Sequence, residues 1–133
     1  MIVSAEEFVA LRTSERPEEY LRAAHDTASN ELWFEVIHRF PNMRIWVAHN
    51  RTVPVEVLAV LAHDPDADVR ESVAMKNKLS GELFALLAAD RDEFVRQRIA
   101  CNKKTPLDIL KRLAQDSSKT VSSYSRRRLR SLD

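Results

Sequence analysis

The chain has 133 residues, of which 44% are hydrophobic and 31% charged, a globular composition about one domain in size. One glycine, Gly81, excludes Gly-rich phosphate loops, Rossmann turns and Gly-punctuated sandwiches, and one cysteine, Cys101, excludes a disulfide framework or a Cys-based zinc cluster. The formal net charge of +1 hides a division: residues 1–95 hold 10 Lys and Arg against 17 Asp and Glu, residues 96–133 hold 11 against 3.

At the N-terminus Glu6 and Glu7 arrive before any apolar run forms, so no signal peptide is expected. No stretch approaches the roughly 18 apolar residues of a membrane span. A cytoplasmic protein away from membranes is the expectation. Ser4-Ala-Glu-Glu7 reads as a capping box that opens a helix carrying Phe8, Val9 and Leu11. Pro17 opens a second helix, with Tyr20, Leu21 and Ala24 as its apolar face. Asn30–Phe40, with Leu32, Trp33, Phe34, Val36 and Ile37, has the pattern of a third.

From Met43 the sequence repeats without a gap. Met43–Asp68, Val69–Phe94 and Val95–Thr120 share a 26-residue period. Five columns are identical: Arg44/Arg70/Arg96, Ala48/Ala74/Ala100, Leu61/Leu87/Leu113, Ala62/Ala88/Ala114 and Asp64/Asp90/Asp116. Four more are apolar throughout: Met43/Val69/Val95, Val47/Val73/Ile99, Val57/Leu83/Ile109 and Leu58/Phe84/Leu110. Each unit reads as two short helices. Pro54 and Pro106 suit the first position of the better-marked one, and Thr105-Pro-Leu-Asp108 resembles a capping box. An Asp-containing turn leads to the other helix, which runs from about Val69 to Met75 in the middle unit. One such pair cannot bury its apolar face alone, but a stack can. After Thr120, Val121, Tyr124, Leu129 and Leu132 share a helical face, with Arg126, Arg127 and Arg130 as the polar side of a cap.

Asp64-x4-Val69-Arg70 and Asp90-x4-Val95-Arg96 resemble the HEAT-repeat signature, an Asp in the turn followed by Val-Arg opening the second helix. Val95-Arg-x-x-Ile99-Ala100-x-Asn102-x-x-Thr105-Pro106, followed by Ile109-Leu110-x-x-Leu113-Ala114-x-Asp116, is similar to the bacterial leucine-rich-repeat-variant pattern. The match covers residues 43–120 clearly and 17–42 faintly. In the middle unit Lys76 stands where the others have Asn50 and Asn102, and Ser80 replaces the proline. The resemblance implies an all-α chain: a short α-solenoid of stacked two-helix repeats and a binding surface, with no particular ligand. Together these readings give a single domain over 1–133. It comprises N-terminal helices with a degenerate repeat (1–42), three regular repeats (43–120) and a C-terminal cap helix (121–133).

The Asp and Arg columns have the chemistry of an acid–base pair, but in HEAT-like stacks such columns form an inter-repeat ladder of charge-assisted hydrogen bonds. Asp64-Pro-Asp-Ala-Asp68 lacks the glycine and bidentate glutamate of a calcium loop. His25, His38, His49 and His63 show no metal-ligand spacing. His49 and Cys101 share a repeat position two periods apart, roughly 20 Å at the ~10 Å spacing of packed helices, too far for a nucleophile and its base. No catalytic residue, cofactor or metal is therefore expected.

The functional candidates lie on the open side of the second helices, which the HEAT-like arrangement turns toward the concave surface. One row is Trp46/Ser72/Arg98/Tyr124 and the next His49/Met75/Cys101/Arg127, with Asn50/Lys76/Asn102 beside it. Trp, Met and Arg are enriched in interface cores. The leading expectation is a non-catalytic module that docks another protein, as an immunity or antitoxin protein or a small adaptor does. The alternative is nucleic-acid binding through the basic C-terminal end, on Lys103, Lys104, Arg126, Arg127 and Arg130.

Overall fold

A computed structural model describes residues 1–132. Among them every regular element is helical, ten α-helices and one 3-10 turn, without a strand. The chain forms two compact units, the first Met1–Leu61 and the second beginning at Ala62. The division falls inside the first regular repeat, just after the second of its two helices.

The first unit contains α1 (Ala5–Thr13), α2 (Pro17–His25), α3 (Asn30–Arg39), the 3-10 turn Pro41–Met43, α4 (Arg44–His49) and α5 (Val55–Leu61). Ser4 Oγ caps α1 by accepting from Glu7 N–H at 3.0 Å, and Glu7 reaches back to Val3 N–H. Pro17 stands at the start of α2, and Ser29 caps α3. The core joins Phe8 of α1 edge-on to Trp33 of α3, ring centroids 5.2 Å apart, with Leu11, Leu32, Val36, Val47, Val57, Leu58 and Leu61 around them. Three expected apolar positions differ. Tyr20 and Leu21 are exposed and Ala23 is the buried residue of α2, because the helix turns one of its two alanines toward α1 and α4. Phe34 is likewise exposed.

The second unit contains α6 (Ala67–Ala74), α7 (Gly81–Ala88), α8 (Glu93–Cys101), α9 (Leu107–Leu113) and α10 (Lys119–Ser131). Val69, Val73, Leu83, Phe84, Leu87, Val95, Ile99, Ile109, Leu110, Leu113 and Val121 form its core, in the columns read from the sequence. Three turn signals recur in register. Asp64, Asp90 and Asp116 each accept from the N–H two residues on, at 2.9 Å, and Asp66, Asp92 and Ser118 then cap the helix that follows. Each aspartate thus fixes a turn that its side chain closes, and the next capping residue satisfies orphan helix donors.

Within the second unit the Arg and Asp columns meet as expected. Arg70 Nε donates to Asp90 at 2.9 Å and Arg96 Nε to Asp116 at 2.9 Å, each with a second, longer bond from Nη2. Nη1 of each arginine bonds a backbone carbonyl, Asp64 O at 2.8 Å and Asp90 O at 2.7 Å. Ser122 occupies the next arginine position, so the described rungs stop at Asp116.

Several local expectations give way to closer packing. Pro54 and Pro106 stand one residue outside their helices, where their carbonyls accept the first helical bonds from Leu58 and Leu110. Thr105 does not cap α9; its buried hydroxyl donates to Ile99 O at 2.6 Å, satisfying an orphan carbonyl at the end of α8. Along α10 the buried residues are Val121, Ser122 and Ser125, whereas Tyr124 and Leu132 face solvent.

Asn50 and Asn102 are buried, not part of an exposed row. Asn50 Nδ2 bonds Ala23 O at 2.8 Å and Asp26 O at 3.0 Å; Asn102 Nδ2 bonds Ala74 O at 2.9 Å and Lys76 O at 2.7 Å. The Oδ1 of Asn102 accepts from Lys104 N–H at 2.9 Å, so one side chain serves three backbone groups. Asn102→Ala orphans all three, and a loss of about 1–3 kcal/mol is expected in urea denaturation, the cost of a buried polar group without its partner. An unchanged midpoint would mean that water replaces the amide.

Candidate functional site: exposed faces of the second helices

The sequence candidates divide between the two units. In the first, Trp46 of α4 is half-buried and His49 is exposed at the end of the same helix, their rings 5.5 Å apart. The guanidinium carbon of Arg12, on α1, stands 3.5 Å over the Trp46 ring. At that separation a planar guanidinium lies flat on the indole, the favourable cation–π arrangement. Arg12, Trp46 and His49 line a groove of about 270 Å³ with Tyr20, Leu21 and Ala24 of α2. The sequence reading found Trp46 and His49 but missed Arg12, whose helix carries no repeat signal.

In the second unit α8 packs against both α6 and α10. Met75 is 51% exposed just beyond α6, and Cys101, Tyr124 and Arg127 are exposed as expected. Arg98 is exposed as well and bonds Glu71 of α6 at 2.7 Å, so part of its charge is matched within the protein. Ser72 departs from the expectation: it is buried, and its hydroxyl returns to Asp68 O at 2.9 Å, the back-bond that short hydroxyl side chains make within helices. Lys76 is half-buried in the turn after α6. Arg127 stands 5.7 Å from the Tyr124 ring, on a shallow surface shared with Lys119 and Ser123.

Partial burial pushes the Cys101 thiol up, and Arg98, Arg128 and Arg127 pull it back only in part. The thiol is therefore protonated at neutral pH, the less nucleophilic form. Among the described residues no group of three or more His, Cys, Asp or Glu side chains is placed to share a metal ion.

The basic C-terminal residues do not act alike. Lys103, Lys104, Arg127 and Arg130 are exposed. Arg126 is exposed too, but its Nε donates to Ala114 O at 3.1 Å, which gives it a part in holding α10 to the end of α9. Arg128, absent from the candidates, bonds Asn102 O at 2.8 Å and Lys103 O at 3.3 Å. It lies 26 residues beyond Asn102 and reaches carbonyls at the same offsets, Ala100 and Asn102, as Asn102 does at Ala74 and Lys76. Extending the sequence register by one period would have found it.

Among the described residues no helix is long and apolar enough to cross a membrane. Compared with known proteins, the chain matches no family model, no curated sequence and no solved structure.

Proposed function

We propose that the chain is a non-catalytic, cytoplasmic protein-binding module of the HEAT-like kind, a short α-solenoid that docks a partner on the open face of its second helices. The observation that carries this reading is the row Met75, Arg98, Cys101, Tyr124 and Arg127. Met75, Cys101 and Arg127 share one register position and Arg98 and Tyr124 another, and all five stay exposed, while the columns Val73/Ile99 and Ala74/Ala100 beside them are buried. Exposed Met, Tyr and Arg in one row have the composition of an interface core. The Arg–Asp rungs and the Asn102 and Arg128 bridges, recurring at 26 residues, support the stacked-repeat arrangement. An immunity protein or a small adaptor is the role this size and surface suit.

Affinity capture from a lysate, with and without nuclease, tests the reading. The expected result is a protein that survives nuclease treatment and is lost with Met75→Ala combined with Arg98→Ala, because a few desolvated anchors dominate such interfaces. Capture that disappears with nuclease would defeat it.

One observation favours a second reading. The bonds from Arg128 hold the Lys103–Lys104 turn against the arginine-rich α10, gathering cations at one end of the unit. That is the footprint of a phosphate-binding surface. Neutralising Lys103, Lys104, Arg127 and Arg130 leaves the backbone bonds of Arg126 and Arg128 in place, so the variant is expected to fold as the parent does. The parent is expected to shift no DNA or RNA in a gel at sub-micromolar protein and physiological salt. A shift abolished in the fourfold variant would put nucleic acid first.

A further inference from the structure

The groove of the first unit carries a cation that the protein leaves unmatched. Arg12 makes no ion pair among the described residues, and its Nε is shielded from water without an acceptor. The other arginines at this end differ: Arg22 is bonded to Asp26, and Arg39 to Glu6 and Glu35. Over Trp46, the Arg12 guanidinium keeps its Nη edge, rather than the shielded Nε, for a carboxylate, and paired N–H donors are the arrangement by which arginine selects one. Beside it, Tyr20 is 37% and Leu21 49% exposed, an apolar wall that the fold leaves uncovered. The volume, about 270 Å³, lies just below the ~300–1,000 Å³ of small-molecule sites and suits one or two side chains.

We propose that this groove receives a short acidic segment of a protein partner. One aspartate or glutamate carboxylate meets the Arg12 guanidinium, and a neighbouring apolar side chain lies against Tyr20, Leu21 and Ala24. Charge sets the length of that segment. Residues 1–61 hold six arginines and no lysine against nine Asp and Glu, so the surrounding field repels a polyacidic tail or a phosphate dianion. A single carboxylate with apolar flanks keeps the local pairing and avoids most of that repulsion.

The inference rests on the reading of the chain as a protein-binding module, and its test separates the two. The probe is an array of capped tetrapeptides, each with one central Glu or Asp among varied neighbours, alongside its Gln or Asn counterpart and a phosphoserine counterpart. Binding of the whole chain is followed on the array and, for the best peptides, by the indole N–H resonance of Trp46 in solution. Carboxylate peptides with an adjacent Leu, Val or Phe are expected to bind about tenfold more tightly than their amide counterparts. Arg12→Gln is expected to remove that discrimination and Arg12→Lys to keep part of it. Equal binding of acid and amide by the native chain would overturn the proposal, whatever the variants do. So would the absence of any binding peptide, or stronger binding of phosphoserine. A silent array with nuclease-resistant protein capture intact defeats the groove alone; loss of that capture as well defeats the module.

Discussion

Replacing Arg70 with alanine is expected to lower stability by about 3–5 kcal/mol, the cost of breaking a buried ion pair by removing one partner. Arg70 and Asp90 side chains are 4% and 9% exposed, so the abandoned carboxylate has little access to water. Asp90 keeps only the N–H of Asp92 at Oδ1, and the carbonyls of Asp64 and Pro65 lose their shared donor. The equivalent Arg96→Ala should cost less, since Arg96 and Asp116 are more open. Asp90→Ala added to Arg70→Ala should recover part of the loss, because the stranded charge is then gone. Urea denaturation of the four proteins gives the coupling directly. Partner affinity should fall less than stability, since the rung is buried away from the open faces of the helices. A variant that melts with the parent but loses its partner would move Arg70 from the scaffold to the binding site.

The scaffold was more legible in the sequence than the surface, for a physical reason. Columns such as Val73/Ile99 and Leu87/Leu113 are held by packing, which demands the same size and polarity in each repeat, so they stand out as period. The Arg–Asp rungs were legible for the same reason. Asn102 was misread because polarity alone suggests exposure, whereas a side-chain amide is well suited to bridging buried carbonyls and an N–H at once. Arg128 performs the same bridging with a different side chain, so no identity marks it. Arg12 and Leu21 lie outside the three regular repeats, on α1 and α2, where the period is absent or faint. Tyr20 and Leu21 fit an apolar helical face in sequence; only the packing of α2 shows that Ala23 takes the buried place.

Leu87→Ala provides a test of the core register to within one residue. Leu87 is fully buried on α7, which packs against α8 and α9, with Leu83, Phe84 and Ala88 buried beside it. Truncation there leaves a cavity walled by three helices that cannot all collapse into it, and about 2–5 kcal/mol should be lost. Leu86, its neighbour on the same helix, is 38% exposed, so Leu86→Ala should stay within about 0.5 kcal/mol of the parent. The two variants remove the same atoms from adjacent positions, and helix propensity is served equally in both. Their difference therefore measures burial alone. Similar losses in chemical denaturation would mean that α7 is rotated from the orientation in which Leu87 and Leu113 form one column. A loss below about 0.5 kcal/mol at Leu87 would remove that column from the core altogether.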